Sequence, residues 1–198
     1  MVKPRPLIGL YAQKPQSGKS SVAAVLQRQG YLLLPMAGTL KRMLRVLLVD
    51  LGMSEEEIRW AMDRGKEINC VPGVPGCTPR QMLQSLGTEW GRRLVDQELW
   101  VRCWAQLAGD AMARGRGVVV DDVRFWNEAQ LVQHLGGVMV EVKRPGGGSD
   151  AFIGHASEGG LAEWAFDACL SNDQDLAHLE VLVDQLLVTM KERTDADD

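Results

Sequence analysis

An apolar stretch near the start of the chain leads directly into a short loop and then a helix, and this succession constrains the fold most. Residues 7–12, LIGLYA, are short and apolar, as is typical of a parallel strand covered on both faces. Residues 17–21, SGKSS, then open a helix that continues through apolar residues. A strand, loop and helix in this order present backbone N–H groups and a positive helix-dipole end, which suits phosphate.

The loop matches the second half of the phosphate-loop pattern G-x-x-x-x-G-K-[ST]. Gln13 stands where the first glycine of that pattern falls, and Pro15 removes one backbone N–H. Either the loop follows a different path, or the Gln13 side chain makes a contact of its own. The alternative to a phosphate site is a serine-capped helix start with a chance Gly-Lys pair.

Further short apolar segments alternate with helical patterns along the chain. This alternation predicts an α/β fold with a five-stranded, mostly parallel sheet and helices on both faces. We expect a single domain over residues 1–198, with a helical insert at about residues 39–115 and a glycine-rich, lid-like loop at about residues 144–160. The predicted later strands are residues 31–34, 117–121, 138–142 and 166–170.

Length, charge and cysteine spacing limit which partners and locations the sequence favours. The chain has 198 residues and a net charge of −4, so no global basic field favours nucleic acid as a partner. We expect no membrane span, because no apolar run approaches the required length, and no signal peptide. The four cysteines lack CxxC spacing, which indicates reduced thiols in the cytoplasm. The apolar helices of the insert could serve a homodimer.

Several segments, in their order along the chain, resemble the deoxynucleoside monophosphate kinases of tailed phages and prophages, which belong to the P-loop NTPases. The resemblance implies an α/β P-loop NTPase fold whose insert forms the monophosphate-binding region. It also implies transfer of the γ-phosphoryl of ATP to a dNMP, with Mg²⁺, in nucleotide supply for phage DNA synthesis. The segments are SGKSS (17–21), TPRQMLQSLGTEWGRRL (78–94), ELWV (98–101), GVVVDDVRFWNEA (117–129), VKRPG (142–146), HASEGGL (155–161) and SND (171–173).

On this resemblance, the donor site lies at the carboxyl ends of the strands, where ligands of such sheets bind. Lys19 would neutralise donor phosphate charge, and Asp121 would hold Mg²⁺ or cap a helix. Arg124 would bridge the phosphates of both substrates or form a surface ion pair, and Arg144 would close over the transferring group or remain a surface charge. The nucleotide-binding residues expected are Ser17, Gly18, Lys19, Ser20, Ser21 and Asn172, with Ser20 or Ser21 on the metal.

The acceptor site is expected in the insert, together with Asp122 from the strand end. Cations there would hold the acceptor phosphate, although each alone is more often a solvated charge. Two polar side chains, Gln84 and Glu89, could read the base edge. The cations are Lys41, Arg80 and Arg92.

Two other hypotheses about the function remain open. One is a P-loop kinase with another acceptor, such as dephospho-coenzyme A or a modified base within DNA. The other is a nucleotide-binding switch without turnover. Gln13, in place of the usual glycine, favours this interpretation, whereas Asp121 and Arg124 argue against it because a protein that only binds nucleotide does not need them. No motif identifies the base of the accepted nucleotide, because selectivity for the base depends on hydrogen bonds in the binding pocket.

Overall fold

The computed structural model describes residues 7–68, 71–145 and 160–196, with side chains described to residue 192. Contacts divide the chain into two compact units. Unit 1 comprises Met1–Met36 and Ala105–Asp198, and unit 2 comprises Ala37–Trp104. The single domain with an insert at about residues 39–115 stays a prediction.

Unit 1 is built around a parallel sheet. Its described strands are five in number and run in the order β2-β3-β1-β4-β5. Every pairing is parallel, and Gly9 of β1 lies opposite Val120 and Met139. This confirms the predicted α/β fold with a five-stranded parallel sheet. The strands are β1 (Leu7–Tyr11), β2 (Leu32–Leu33), β3 (Val118–Val120), β4 (Val138–Lys143) and β5 (Ala168–Ser171).

Helices cover both faces of this sheet, so β1 is buried along its whole length. On one face, α1 (Lys19–Arg28) and α7 (Leu176–Ala196) pack against Ile8 and Leu10 in the main core. On the other face lies α6 (Trp126–His134), whose Val132 comes within van der Waals reach of Gly9. Each fully buried aliphatic side chain contributes about 1.5–3 kcal/mol, and this burial fixes where the strand ends lie.

Unit 2 is helical. Its elements are α2 (Gly38–Asp50), α3 (Glu55–Asp63), α4 (Pro79–Gln84) and a π-helix (Ser85–Val95), and α5 (Leu99–Ala113) begins in this unit. Leu44, Leu48 and Ile58 belong to a core of its own. Reciprocal capping boxes begin α3 at Ser54 and α4 at Thr78.

The apolar residues of α2 are not all buried. Leu44 and Leu48 are buried, whereas Met43 and Leu47 are 38% and 46% exposed. The last strand begins at Ala168 rather than at Phe166 as predicted, and the Phe166 ring stacks on Tyr11 at 5.3 Å between centroids.

In the part of the chain that the structure describes, no helix is both long and apolar enough to span a bilayer.

Candidate functional site

The loop between β1 and α1 is held in a compact turn. Ser17 is buried, and its hydroxyl donates a 2.6 Å hydrogen bond to the carbonyl oxygen of Lys14. Gly18 precedes the helix with φ of 98°, and it offers no side-chain cap to the first turn of α1. The N–H groups of that turn are therefore open to an anion from outside the helix. Lys19, Ser20 and Ser21 form the first turn, and both serines are exposed.

The backbone strain in this loop falls on Gln16. Its φ is +59°, in the left-handed region that favours glycine, and among non-glycine residues of the described ranges it is the one with positive φ. Gln13 does not adopt this conformation. Of the two explanations for Gln13, the structure therefore supports a different loop path, with the glycine-like position three residues later.

Lys19, in the helix after β1, lies near three charged side chains that follow the adjacent strand β3. Burial lowers the pKa of the Lys19 ammonium, the Arg124 charge lowers that pKa further, and the carboxylates of Asp121 and Asp122 raise it. All three neighbours follow β3, which pairs directly with β1. The carboxyl ends of adjacent parallel strands thus bring together the residues that the sequence placed at strand ends.

The two carboxylates after β3 differ in their environments. Asp122 Oδ1 accepts a 2.6 Å hydrogen bond from the backbone N–H of Met36, so this side chain fixes the chain after β2. Asp121 and Asp122 are both half-buried. One Asp122 oxygen thus holds a backbone group, and both carboxylates act on the Lys19 ammonium.

Sequence reasoning missed Glu128, which is buried at 4% exposure. Its Oε2 accepts hydrogen bonds from the backbone N–H groups of Arg124 at 2.8 Å and Phe125 at 3.2 Å. The carboxylate thereby fixes the turn that presents the exposed Arg124 side chain. Phe125 at the start of α6 has no side-chain oxygen to complete a capping box with Glu128, so the sequence carries no capping-box signal at this position.

The exits of β4 and β5 carry the remaining candidates of unit 1. Asn172 follows β5, and its side-chain Nδ2 donates a 3.1 Å hydrogen bond to the carbonyl oxygen of Ser17 in the phosphate loop. Arg144 follows β4 and is exposed. The rest of the predicted lid, residues 146–159 with His155 and Glu158, lies outside the described residues.

The acceptor candidates of the insert all lie on helices of unit 2. Lys41 is exposed on α2, Gln84 is exposed at the end of α4, and Glu89 is exposed on the π-helix. Arg80 forms an ion pair with Glu67, and Arg92 is half-buried with interactions of its own. All five residues thus belong to one unit.

The π-helix is the feature of unit 2 that no sequence pattern predicted. It spans Ser85–Val95, and the Trp100 indole N–H donates a 2.8 Å hydrogen bond to the carbonyl oxygen of Gly87 within it. A Cβ on Gly91 would overlap the same indole ring. π-Helices are uncommon and are frequently found at functional sites.

The oxygen ligands that this site offers suit an Mg²⁺ ion bound together with phosphates. In the described ranges, no group of three or more His, Cys, Asp or Glu side chains is placed to hold a metal alone. A magnesium ion on a nucleotide needs only one or two protein oxygens, since phosphates and water supply the rest. Asp121 and the hydroxyls of Ser20 and Ser21 are oxygen donors of that kind.

The chain is similar to known proteins over most of its length. The family described as "Deoxynucleotide monophosphate kinase" matches residues 76–183. A "Putative deoxynucleotide monophosphate kinase" from Acanthamoeba polyphaga mimivirus is 34% identical over 161 residues, which cover 73% of this chain and 77% of the relative. The crystal structure of TT1252 from Thermus thermophilus shares the fold, with a TM-score of 0.52 and 21% identity over 94% of this chain and 98% of that one.

Proposed function

The chain belongs to the deoxynucleotide monophosphate kinase family and is therefore a phosphotransferase, and from this premise we propose that it transfers the γ-phosphoryl of ATP to a dNMP, giving a dNDP and ADP. The observation that carries the proposal is the cluster of Lys19, Arg124, Asp121 and Asp122 beside the loop before α1. Cations and carboxylates next to a helix start are what a site for phosphoryl transfer requires.

Lys19 is the central donor-site residue in this proposal. Its ammonium is partly desolvated and lies next to another cation, so keeping it charged before a ligand binds costs free energy. Bound phosphates would relieve that cost and raise the lysine pKa again. Because the charge is fixed in place before the substrate binds, it acts on the transition state without reorganisation.

The other residues of unit 1 have positioning and electrostatic roles in the proposal. The backbone N–H groups of Gly18 to Ser20 bind the β- and γ-phosphates. Arg124, held by the turn that Glu128 fixes, stabilises charge on the transferring group, and Arg144 adds a second guanidinium. Asp121, with Ser20 or Ser21, would hold Mg²⁺. When bound, the ion would neutralise charge developing on the phosphate oxygens.

We infer that unit 2 supplies the acceptor site. Lys41, Arg80 and Arg92 are its candidate phosphate ligands, and Gln84 and Glu89 are candidates for reading the base. The ion pair with Glu67 restrains Arg80 on α4, which would reduce the entropy lost when it binds a phosphate. In this proposal the enzyme acts in the cytoplasm and supplies nucleotides for phage DNA synthesis, and the viral source of the mimivirus relative is compatible with that role.

The proposal is tested by a coupled assay with ATP and Mg²⁺ against dAMP, dGMP, dCMP and dTMP. We expect transfer to at least one of them, and loss of nearly all turnover in Lys19→Ala because the charge on the transferring phosphoryl is no longer compensated. Lys191→Ala, an equal charge change on an exposed site of α7, is the matched control and should leave turnover unchanged.

ATP binding without transfer to any monophosphate would contradict the proposed activity and favour a nucleotide switch. Turnover of Lys19→Ala within about threefold of the wild type would instead reject this loop as the donor site. These two results are separate, because the first concerns the reaction and the second concerns its location.

A further inference from the structure

The residue after β5 reaches across the sheet to the phosphate loop. Strand β5 pairs with β4, and the backbone N–H of Asn172 continues that pairing by donating a 2.7 Å hydrogen bond to the carbonyl oxygen of Lys143. The Asn172 backbone is therefore anchored to the sheet. Its side-chain Nδ2 donates the 3.1 Å hydrogen bond to the carbonyl oxygen of Ser17, 155 residues earlier in the chain.

The Asn172 carboxamide also occupies the space beside Gly18. A Cβ built on Gly18 would overlap Asn172 Nδ2. Gly18 is thus required for two reasons, since its φ of 98° disfavours any side chain and the carboxamide already fills the place where one would lie. The loop is fixed from inside by the Ser17 hydroxyl and from outside by Asn172.

The geometry points to Asn172 as a positioning residue for phosphate binding, an inference that rests on the proposed donor site. In a trans peptide, the carbonyl and the following N–H point in opposite directions within one plane. By holding the Ser17 carbonyl, Asn172 sets the orientation of the whole Ser17–Gly18 peptide. The Gly18 N–H is then directed away from Asn172 and is held ready for a phosphate oxygen.

This role differs from base recognition, which the position of Asn172 at a strand exit would also allow. A side chain that reads the base acts on ATP and has no effect on a ligand without a base. A side chain that orients the loop acts on the phosphates. Inorganic tripolyphosphate therefore separates the two roles, because it carries the phosphate chain of ATP alone.

Asn172→Leu is the test variant, since leucine has a similar shape without charge or hydrogen-bond donor. Affinities for ATP and for tripolyphosphate should both fall by about tenfold, the equivalent of one hydrogen bond. The Michaelis constant for the dNMP should change by less than about twofold. Asp173→Asn is the matched control, because this neighbouring carboxylate contacts Ser171 and His178 instead of the phosphate loop.

A fall in ATP affinity with unchanged tripolyphosphate affinity would overturn the inference in favour of a base contact. Unchanged affinity for both ligands would overturn it in favour of a purely structural side chain. Asn172→Ala repeats the measurement if the leucine variant does not fold. If the wild-type protein binds tripolyphosphate but phosphorylates no dNMP, the proposed activity alone is rejected. If it binds neither ATP nor tripolyphosphate, both the proposed activity and the role of Asn172 are rejected.

Discussion

Gln16 bears the conformational cost of the phosphate loop. A side chain in the left-handed region brings its Cβ close to the following carbonyl oxygen, which costs about 1–2 kcal/mol. With φ of +59°, Gln16 is in that region, and its side chain is exposed, so no burial compensates the cost. Strain of this kind persists where the surrounding structure fixes the backbone, as Ser17 and Asn172 do here.

Gln16→Gly should therefore raise the free energy of unfolding by about 1 kcal/mol, measured by urea or thermal denaturation. Gln13→Gly is the same substitution in the same loop at a residue without positive φ, and it should give no gain. If the two variants have equal stability, the strain does not reside at Gln16. A gain confined to Gln13→Gly would place the left-handed residue there instead.

The residues of the donor site were predictable to different degrees. Lys19, Asp121 and Arg124 could be placed together because the ends of adjacent parallel strands lie at one edge of a sheet, and this follows from chain order alone. The contact of Asn172 with Ser17 could not be derived in this way. It depends on the side-chain rotamer and on how closely the last strand exit approaches the loop.

At the scale of elements, the π-helix of unit 2 combines a wide backbone turn with a large side chain packed against it. Its wider turn is continued to the end, where the N–H of Asp96 donates to the carbonyl oxygen of Gly91, five residues before it. Gly87 and Gly91 are both buried. The Trp100 indole lies against Gly91 and donates a hydrogen bond to the Gly87 carbonyl, so Gly91 makes room for this large side chain.

Gly91→Ala should destabilise the protein by about 1–3 kcal/mol, because its methyl group would force the Trp100 ring out of place. Gly109→Ala, on α5, is the matched control. A Cβ there meets nothing within 4 Å, so alanine should stabilise the helix by about 1 kcal/mol. Opposite shifts in the thermal midpoint are the expected result, and a stabilising Gly91→Ala would mean that Trp100 does not pack against this residue.

Elements with local signals were the predictable part of the fold. The capping boxes at Ser54 and Thr78 and the apolar runs of β1 and β3 are encoded within a few residues each. The π-helix has no such signal. Residues 85–95 fit an ordinary helical period in sequence, and the tryptophan that contacts the wider turn lies nine residues beyond Gly91, outside this segment.

At the scale of the whole molecule, the chain consists of two units with separate cores. The larger core surrounds the sheet of unit 1, and the smaller one joins α2, α3 and the segment that follows them. The sequence predicts which residues lie in the helical region. It does not predict which of their side chains converge, because the mutual placement of helices depends on long-range packing rather than on strand order.

Hydrogen exchange can locate the two substrates on the two units separately. A non-hydrolysable ATP analogue alone should slow exchange in residues 12–25 and 121–128, because it orders the phosphate loop and the turn after β3. A dNMP alone should slow exchange in residues 78–95 of unit 2, where most of the candidate phosphate ligands lie, and leave 12–25 unchanged. The corresponding deoxynucleoside is the control, and without a phosphate for the cations it should protect little. Protection by the dNMP confined to unit 1 would move the acceptor site there, and Lys41, Arg80 and Arg92 would then be surface charges that support solubility rather than catalysis.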